Sequence, residues 1–194
     1  MSEAAGAASA FEIRTVAVIG AGVAGRSFAL ACASAGFHVV LEDVMPANLR
    51  RAEADYADLT QRGTAGRLDL ALTVEDAVRE ADVAVDFVPD ELESKLEIFS
   101  LIDRMAPPKT ILCTPSYMLS ITDLASCVYR PERCVAVRGN LVRSGDDAVV
   151  RQLYPAAAAG PMLTAMEAFL LALGLEARRE EDPEAPVLMK NLPG

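Results

Sequence analysis

The chain has 194 residues, of which 52% are hydrophobic and 24% are charged, and this balance is typical of a folded globular protein and not of a disordered one. Its formal net charge of −10 disfavours nucleic acid and anionic membrane surfaces as partners. Because no apolar run approaches the roughly 18 residues that a membrane span needs, we expect no membrane span and a cytoplasmic location.

Strands and helices alternate along the chain. In chain order the pattern predicts a strand over 14–20, a helix over 23–35, a strand over 37–43, a helix over 46–61, a helix over 74–81, a strand over 82–88, a helix over 92–105, a strand over 109–113, a helix over 121–128, a strand over 134–138, a marginal strand over 148–153 and a helix over 161–173. Residues 62–69 are predicted to be a glycine-containing connection, and the residues after 174 are left unassigned. Strands that alternate with helices predict an α/β fold with a doubly wound, mostly parallel sheet and helices on both faces.

The domain organisation follows from the length and the chain ends. Residues 1–12 are interpreted as a flexible leader, because they lack the basic and apolar regions of a signal peptide. Residues 13–194 are predicted to form a single domain, since this length suits one α/β unit. The 4 cysteines have no CxxC spacing, so we predict reduced thiols and no metal site.

A glycine-rich loop joins the first predicted strand to the first predicted helix. It consists of Gly20, Ala21, Gly22, Val23, Ala24 and Gly25, which match the pattern GxGxxG. Gly20 permits a tight turn, Gly22 lets the backbone approach a pyrophosphate, and Gly25 lets the helix pack closely on the strand. The N–H groups of the helix N-terminus attract the same anion. This context predicts a dinucleotide-binding domain of the Rossmann type.

Two acidic residues, Glu42 and Asp43, end the second predicted strand. A carboxylate about twenty residues after the glycine loop accepts hydrogen bonds from the adenosine ribose of NAD and repels the 2′-phosphate of NADP. We therefore predict NAD as the cofactor, and we choose Asp43 over Glu42 as the ribose ligand.

Several segments resemble one family. Residues 16–44 (VAVIGAGVAGRSFALACASAGFHVVLEDV) resemble the start of the NAD-binding domain of the 3-hydroxyacyl-CoA dehydrogenases, and residues 72–112, ITDLA and RPERCV are similar to later parts of it. The resemblance runs from about Arg14 to Arg138. It implies NAD chemistry on a small-molecule substrate such as an acyl-CoA, as in fatty acid metabolism.

The resemblance also implies cofactor contacts after the strand predicted over 82–88. Asp90 and Lys95 fall on the family's cofactor-contacting acid and lysine, and Val88 and Pro89 lead into them. The bottom-up alternatives are that Asp90 is only a charge at a helix N-terminus and that Lys95 only lies on a solvated helix face.

The positions that carry catalysis in the family differ in this chain. The family's substrate-contacting serine aligns with Tyr117, beside Ser116, and its general acid/base histidine aligns with Arg138. Arginine stays protonated near neutral pH and cannot accept the proton of an alcohol. The family's orienting glutamate falls near Val150 and its terminal asparagine near residues 188–189. His38, the only histidine, lies at the start of a strand and is interpreted as structural.

Three functions remain open. The first is a divergent oxidoreductase for a hydroxyacyl or small hydroxy-acid substrate, in which Tyr117, Arg138 and Ser116 are candidate catalytic residues. The second is a catalytically inactive NAD(H)-binding sensor or accessory subunit. The third is a fragment of a longer dehydrogenase, because the chain stops where the family's helical second domain would begin. A domain without that covering partner would expose an apolar face, so we expect a homodimer.

Overall fold

The computed structural model describes residues 11–63, 65–142 and 148–183. The leader predicted over 1–12 lies outside these residues except at its end. There Phe11 packs partly against the core, and the guanidinium of Arg133 lies 5.5 Å from the centroid of its ring. The assignment of 1–12 as a leader and of 13–194 as one domain stays a prediction.

The described part of the chain contains eight strands and six α-helices. The strands are Thr15–Ile19 (β1), His38–Glu42 (β2), Leu68–Ala71 (β3), Val83–Asp86 (β4), Ile111–Pro115 (β5), Cys134–Arg138 (β6), Val149–Tyr154 (β7) and Glu176–Glu181 (β8). The helices are Val23–Ser34 (α1), Pro46–Arg62 (α2), Val74–Val78 (α3), Leu92–Met105 (α4), Ile121–Ala125 (α5) and Gly160–Ala172 (α6).

All eight strands form one sheet in the order β3-β2-β1-β4-β5-β6-β7-β8. The pairs from β3 to β6 are parallel, β7 runs antiparallel to β6, and β8 runs parallel to β7. Because the strand order reverses between β1 and β4, a crevice opens there at the carboxyl ends of the strands, where this fold class binds its ligands. The predicted Rossmann-type fold is confirmed.

Side chains of the central strands are buried on both faces of the sheet. In β1, Val16 and Val18 contribute to one apolar cluster, and Ala17 and Ile19 contribute to the other. This alternation follows from the two-residue period of a strand, which directs successive side chains to opposite faces. Helices therefore cover both faces, as the alternation of strands and helices predicted.

Two strands were not predicted. β3 begins inside the segment predicted to be a connection, and β8 lies in the unassigned tail. The sequence of β8, EARREE, carries no apolar alternation, because the strand is largely exposed at the sheet edge. Ion pairs between Arg151 and Glu180 and between Arg179 and Glu167 attach it to its neighbours. Hydrophobic periodicity detects burial, so it misses strands of this kind.

Smaller differences concern element ends. β5 covers Ile111–Pro115 and not 109–113, because Lys109 precedes the strand and forms an ion pair with Asp82. Proline at the last position of β5 is tolerated because it ends the strand. α5 ends at Ala125, three residues before the predicted Val128. The predicted cap of α3 is present, since the hydroxyl oxygen of Thr73 accepts a hydrogen bond from the N–H of Asp76.

Candidate functional site

The glycine loop turns directly from β1 into α1. Gly20 has a φ of +96°, a conformation that strongly favours glycine. A Cβ atom at Gly25 would lie 1.9 Å from the carbonyl oxygen of Gly20, so only glycine fits there. A Cβ atom at Gly22 would meet nothing within 4 Å. Gly22 is therefore not required by the fold, and the open space beside it fits the approach of a pyrophosphate.

The remaining loop residues divide by exposure. Val23 and Ala24 begin α1 and are exposed, whereas Ala21 is fully buried beneath the loop. The first N–H groups of any α-helix have no intrahelical acceptor and carry the positive end of the helix dipole. The exposed start of α1 thus offers the anion-binding surface that a dinucleotide needs.

Asp43 lies directly beside the glycine loop. Its Oδ2 accepts a hydrogen bond from the N–H of Ala21 at 2.8 Å and from Nδ2 of Asn48 at 3.0 Å, and its Oδ1 accepts from the N–H of Met45 at 2.7 Å. The neighbouring Glu42 is also buried, and its pKa is raised by burial and by the charge of Asp43. The fold therefore brings Asp43 and the loop together, although its contact with ribose stays a prediction.

Lys95 is buried between the carboxyl ends of β4 and β5 and does not lie on a solvated helix face. It is 1% exposed, and its Nζ donates a hydrogen bond to Asp86 Oδ1 at 2.6 Å and to the carbonyl oxygen of Pro115 at 3.3 Å. The ammonium thus connects the end of β4, the first turns of α4 and the end of β5. The interpretation of Lys95 as a solvated surface residue is therefore wrong, and its contact with the cofactor stays a prediction.

The loops after β4 and β5 contact each other through Asp90. Its Oδ2 accepts a hydrogen bond from the N–H of Tyr117 at 3.0 Å. Asp90 and Pro89 are exposed and Val88 is half-buried, so these three residues lie at the rim of the crevice. Asp90 therefore does more than complement the dipole of α4, because it fixes the backbone that carries Tyr117.

Of the three candidate catalytic residues, only Tyr117 faces the crevice. Its side chain is 66% exposed, and its hydroxyl donates a hydrogen bond to the carbonyl oxygen of Gly139 at 3.1 Å. Ser116 is fully buried, and its hydroxyl oxygen accepts a hydrogen bond from the N–H of Leu119 at 3.0 Å. Ser116 is therefore enclosed by the protein, which does not fit its prediction as a catalytic residue.

Arg138 is bound to the loop that follows β5. Its Nε donates to the carbonyl oxygen of Ser116 at 3.2 Å, and one terminal nitrogen donates to the carbonyl oxygen of Leu119 at 3.0 Å. The guanidinium thus stabilises this loop with its hydrogen bonds, and the candidate catalytic role of Arg138 stays a prediction. Sequence alignment gives the position of a residue but not the direction of its side chain.

An apolar cleft of about 520 Å³ lies at the carboxyl ends of β1, β4, β5 and β6. Its lining residues are Val23, Ala24, Ser27, Phe87, Pro115, Tyr117, Gly139, Asn140, Leu141 and Val142. None of these residues is charged. The cleft adjoins the start of α1, which is where the crevice of this fold receives its ligand.

Other candidate groups lie away from the cleft or inside the core. His38 is the first residue of β2, at the opposite end of the strand, and its Nε2 lies 2.8 Å from Asp69 Oδ2. Cys32, Cys113 and Cys134 are buried, and burial raises the pKa of each thiol. Within residues 11–63, 65–142 and 148–183, there is no group of three or more aspartate, glutamate, histidine or cysteine side chains that could hold a metal ion. In the same ranges, no helix has the length and hydropathy needed to cross a bilayer.

Comparison with known proteins identifies the family. A family profile described as "3-hydroxyacyl-CoA dehydrogenase, NAD binding domain" matches residues 15–138. The chain belongs to the 3-hydroxyacyl-CoA dehydrogenase family. Because the matched region is the NAD-binding domain, the prediction of NAD as the cofactor is confirmed.

Individual relatives extend over part of their own length. The chain is 32% identical over 139 residues to a probable 3-hydroxybutyryl-CoA dehydrogenase of Bacillus subtilis, covering 65% of this chain and 48% of the relative. It is 33% identical over 133 residues to an L-carnitine dehydrogenase of Pseudomonas syringae, covering 64% and 42% respectively. The chain thus spans about half the length or less of these curated relatives.

Solved structures share the fold. The crystal structure of 3-hydroxybutyryl-CoA dehydrogenase from Escherichia coli K12 matches with a TM-score of 0.75 and 25% identity, over 88% of this chain and 39% of that one. A diketoreductase structure matches with a TM-score of 0.77 and 24% identity, over 93% and 69%. Val150, which aligns near the family's glutamate, is buried in β7, and residues 188–189 lie outside the described residues.

Two site residues were missed by sequence reasoning. Asp86 is the buried ion-pair partner of Lys95, and Asn48 donates a hydrogen bond to the carboxylate of Asp43. A signal for Asp86 was present, because an acid that ends a wholly apolar strand needs a buried partner. Asn48 had no comparable signal, since its contact depends on how the first turn of α2 is placed against β2.

Proposed function

We propose that the chain is the cofactor-binding part of an NAD-dependent oxidoreductase that acts on a hydroxyacyl or small hydroxy-acid substrate. The observation that carries the proposal is the apolar cleft beside the glycine loop, which contains the Tyr117 hydroxyl. A hydroxyacyl substrate such as an acyl-CoA would connect the protein with fatty acid metabolism. As part of this proposal we place the protein in the cytoplasm, on the basis of its globular composition with 24% charged residues.

The proposed chemistry places Tyr117 at the reacting oxygen. NADH, when bound, supplies the hydride that reduces a carbonyl carbon. Tyr117 then donates its hydroxyl proton to the carbonyl oxygen, and the alcohol forms. The hydroxyl donates to the carbonyl oxygen of Gly139, which also lines the cleft, and the oxygen of a bound carbonyl substrate would replace that acceptor. Asp90 holds the backbone of Tyr117 from the side of β4. Positioned acids of this kind accelerate proton transfer by about 10²–10⁴-fold.

The substitution Tyr117→Phe tests this role. We expect hydride transfer from NADH to an acetoacetyl thioester or a 2-oxo acid to fall by about 10²-fold or more, because the variant has no proton to donate. NADH affinity should stay within about threefold. Tyr129→Phe is the matched control, since Tyr129 is 87% exposed and lies outside the cleft. Full turnover by Tyr117→Phe would refute the catalytic role of Tyr117.

A second candidate is a catalytically inactive NAD(H)-binding sensor or accessory subunit. It is favoured by Arg138, which occupies the position of the family's general acid/base and donates to two loop carbonyls. This candidate predicts NADH binding without turnover of either substrate class. It also predicts that Arg138→His, which restores the family residue, leaves the protein inactive, because that loop would lose its support.

A further inference from the structure

We propose that Asn48 is a specificity-determining residue of the NAD site. It fixes the carboxylate of Asp43 so that this group accepts a hydrogen bond from the 2′-hydroxyl of the adenosine ribose and repels a 2′-phosphate. The inference rests on the cofactor site and not on the proposed reaction.

The contact between the two side chains has a defined direction. Nδ2 of Asn48 lies 3.0 Å from Oδ2 of Asp43. An ionised carboxylate only accepts hydrogen bonds, so the amide must present its nitrogen and not its oxygen. The orientation of Asn48 is therefore set by the charge of Asp43, and in return the amide restricts rotation of the carboxylate.

The acceptor capacity of Asp43 is nearly used by the protein. A carboxylate has about four lone-pair sites. The N–H of Ala21 and the amide of Asn48 occupy Oδ2, and the N–H of Met45 occupies one site on Oδ1. One site on Oδ1 is left for a ribose hydroxyl. Asp43 is 8% exposed, so only a small part of the residue can contact a ligand.

The start of α2 holds Asn48 in place. The N–H of Asn48 donates to the carbonyl oxygen of Met45 at 2.9 Å, and Pro46 begins the helix. Met45 in turn donates to Asp43, so Asp43, Met45 and Asn48 form a closed hydrogen-bonded ring. Through Ala21 this ring also contacts the glycine loop. Ribose recognition and pyrophosphate binding therefore share one support.

A purely structural role would have a different signature. If Asn48 only stabilised the turn into α2, its removal would weaken all dinucleotides equally. If it directs Asp43, its removal must weaken mainly those ligands that carry the 2′-hydroxyl. A ligand series that differs only at that position separates the two roles.

The experiment is calorimetric titration of the full chain with NADH, with its 2′-deoxyadenosine analogue and with NADPH. We expect the wild type to bind NADH about tenfold more tightly than the deoxy analogue. In Asn48→Ala this preference should fall to about twofold, and the preference for NADH over NADPH should fall by about tenfold. Asn48→Asp, which keeps the size but places an oxygen against Asp43, should lose at least as much of the preference for NADH over the deoxy analogue. Gln61→Ala, an exposed position on α2, should behave as the wild type.

The proposal is overturned if Asn48→Ala lowers the affinity for NADH and for the deoxy analogue by the same factor. It is also overturned if the wild type does not distinguish these ligands, a result that needs no variant and is independent of folding. NADH binding with the expected preferences but without turnover would refute only the proposed reaction.

Discussion

The glycines of the cofactor loop differ in what surrounds them, and this difference predicts opposite effects of the same substitution. Gly22→Val places its side chain in open space, so the protein should unfold at the wild-type temperature but lose NADH binding by at least about 100-fold, because the side chain blocks the pyrophosphate. Gly25→Val collides with the carbonyl oxygen of Gly20 and should lower the unfolding temperature sharply. Calorimetric binding and thermal unfolding measure both. Retained NADH binding by Gly22→Val would contradict this account of the loop.

The buried pair of Asp86 and Lys95 predicts a large loss of stability from a single substitution. Lys95→Met leaves the carboxylate of Asp86 buried without a counter-charge, which costs about 3–5 kcal/mol of the free energy of unfolding. Adding Asp86→Leu should restore most of that loss, since the unpaired charge is then removed. Urea unfolding of both variants is the measurement, and a single variant as stable as the wild type would exclude the pair as a structural element.

At the residue scale, the sequence predicted positions better than contacts. The glycine loop and Asp43 were predictable because their spacing along the chain is itself the requirement of the site. The roles of Lys95 and Arg138 were not, because each depends on a partner from another part of the chain, Asp86 and the carbonyls of the loop after β5 respectively. The burial of Ser116 was not predictable either, because it depends on how that loop packs against the rest of the fold. A side chain's direction is fixed by tertiary packing, which no local pattern encodes.

At the scale of elements, Asp82 holds the starts of three central strands together. Its carboxylate accepts hydrogen bonds from the N–H groups of Arg14 and Thr15 before and in β1, and it pairs with Lys109 before β5. Burial alone would raise the pKa of Asp82, but these hydrogen bonds together outweigh it and hold the pKa below its ordinary value. The ionised form is therefore favoured by folding.

A depressed carboxyl pKa gives stability that is present above the ordinary pKa of about 3.9 and is lost as the pH falls through the lower value of the folded state. Asp82→Asn should therefore be less stable than the wild type by about 2 kcal/mol at pH 7. The difference between the two proteins should shrink as the pH falls below about 4. Urea unfolding between pH 7 and pH 3 measures it, and a difference that is constant over this range would contradict the assignment.

Elements were predictable where burial is complete. β1, β4 and β6 are apolar except for one terminal residue each, Thr15, Asp86 and Arg138, so the apolar run alone indicates where they lie. β8 is held by ion pairs at an exposed edge, and β3 has only four residues, so neither carries an apolar signal of its own. The parallel direction of most strands followed from the alternation of strands and helices, whereas the antiparallel direction of β7 did not.

At the scale of the whole molecule, exposed apolar side chains gather at one edge. Val44 and Met118 follow the carboxyl ends of β2 and β5, and each is more than three-quarters exposed. Because these strands are parallel, the two residues lie at the same edge of the sheet. We expect the predicted homodimer to form through this apolar surface.

Sedimentation velocity at micromolar concentration should therefore give the sedimentation coefficient of a dimer. The double substitution Val44→Asp and Met118→Asp should shift it to that of a monomer, because charge in a dimer interface is costly to desolvate. Leu171→Asp, on the exposed side of α6, should leave the dimer intact. A wild-type chain that sediments as a monomer would end the dimer prediction.

The distribution of the cysteines leaves the protein one thiol that a labelling reagent can reach. Three of the 4 thiols are enclosed by the core, and Cys127 alone is exposed. Cys127 also lies outside the lining of the apolar cleft. A maleimide dye should therefore label each folded chain once, without an engineered residue. Energy transfer between donor-labelled and acceptor-labelled chains would then report the association of two chains. The same measurement with and without dinucleotide would show whether cofactor binding changes that association.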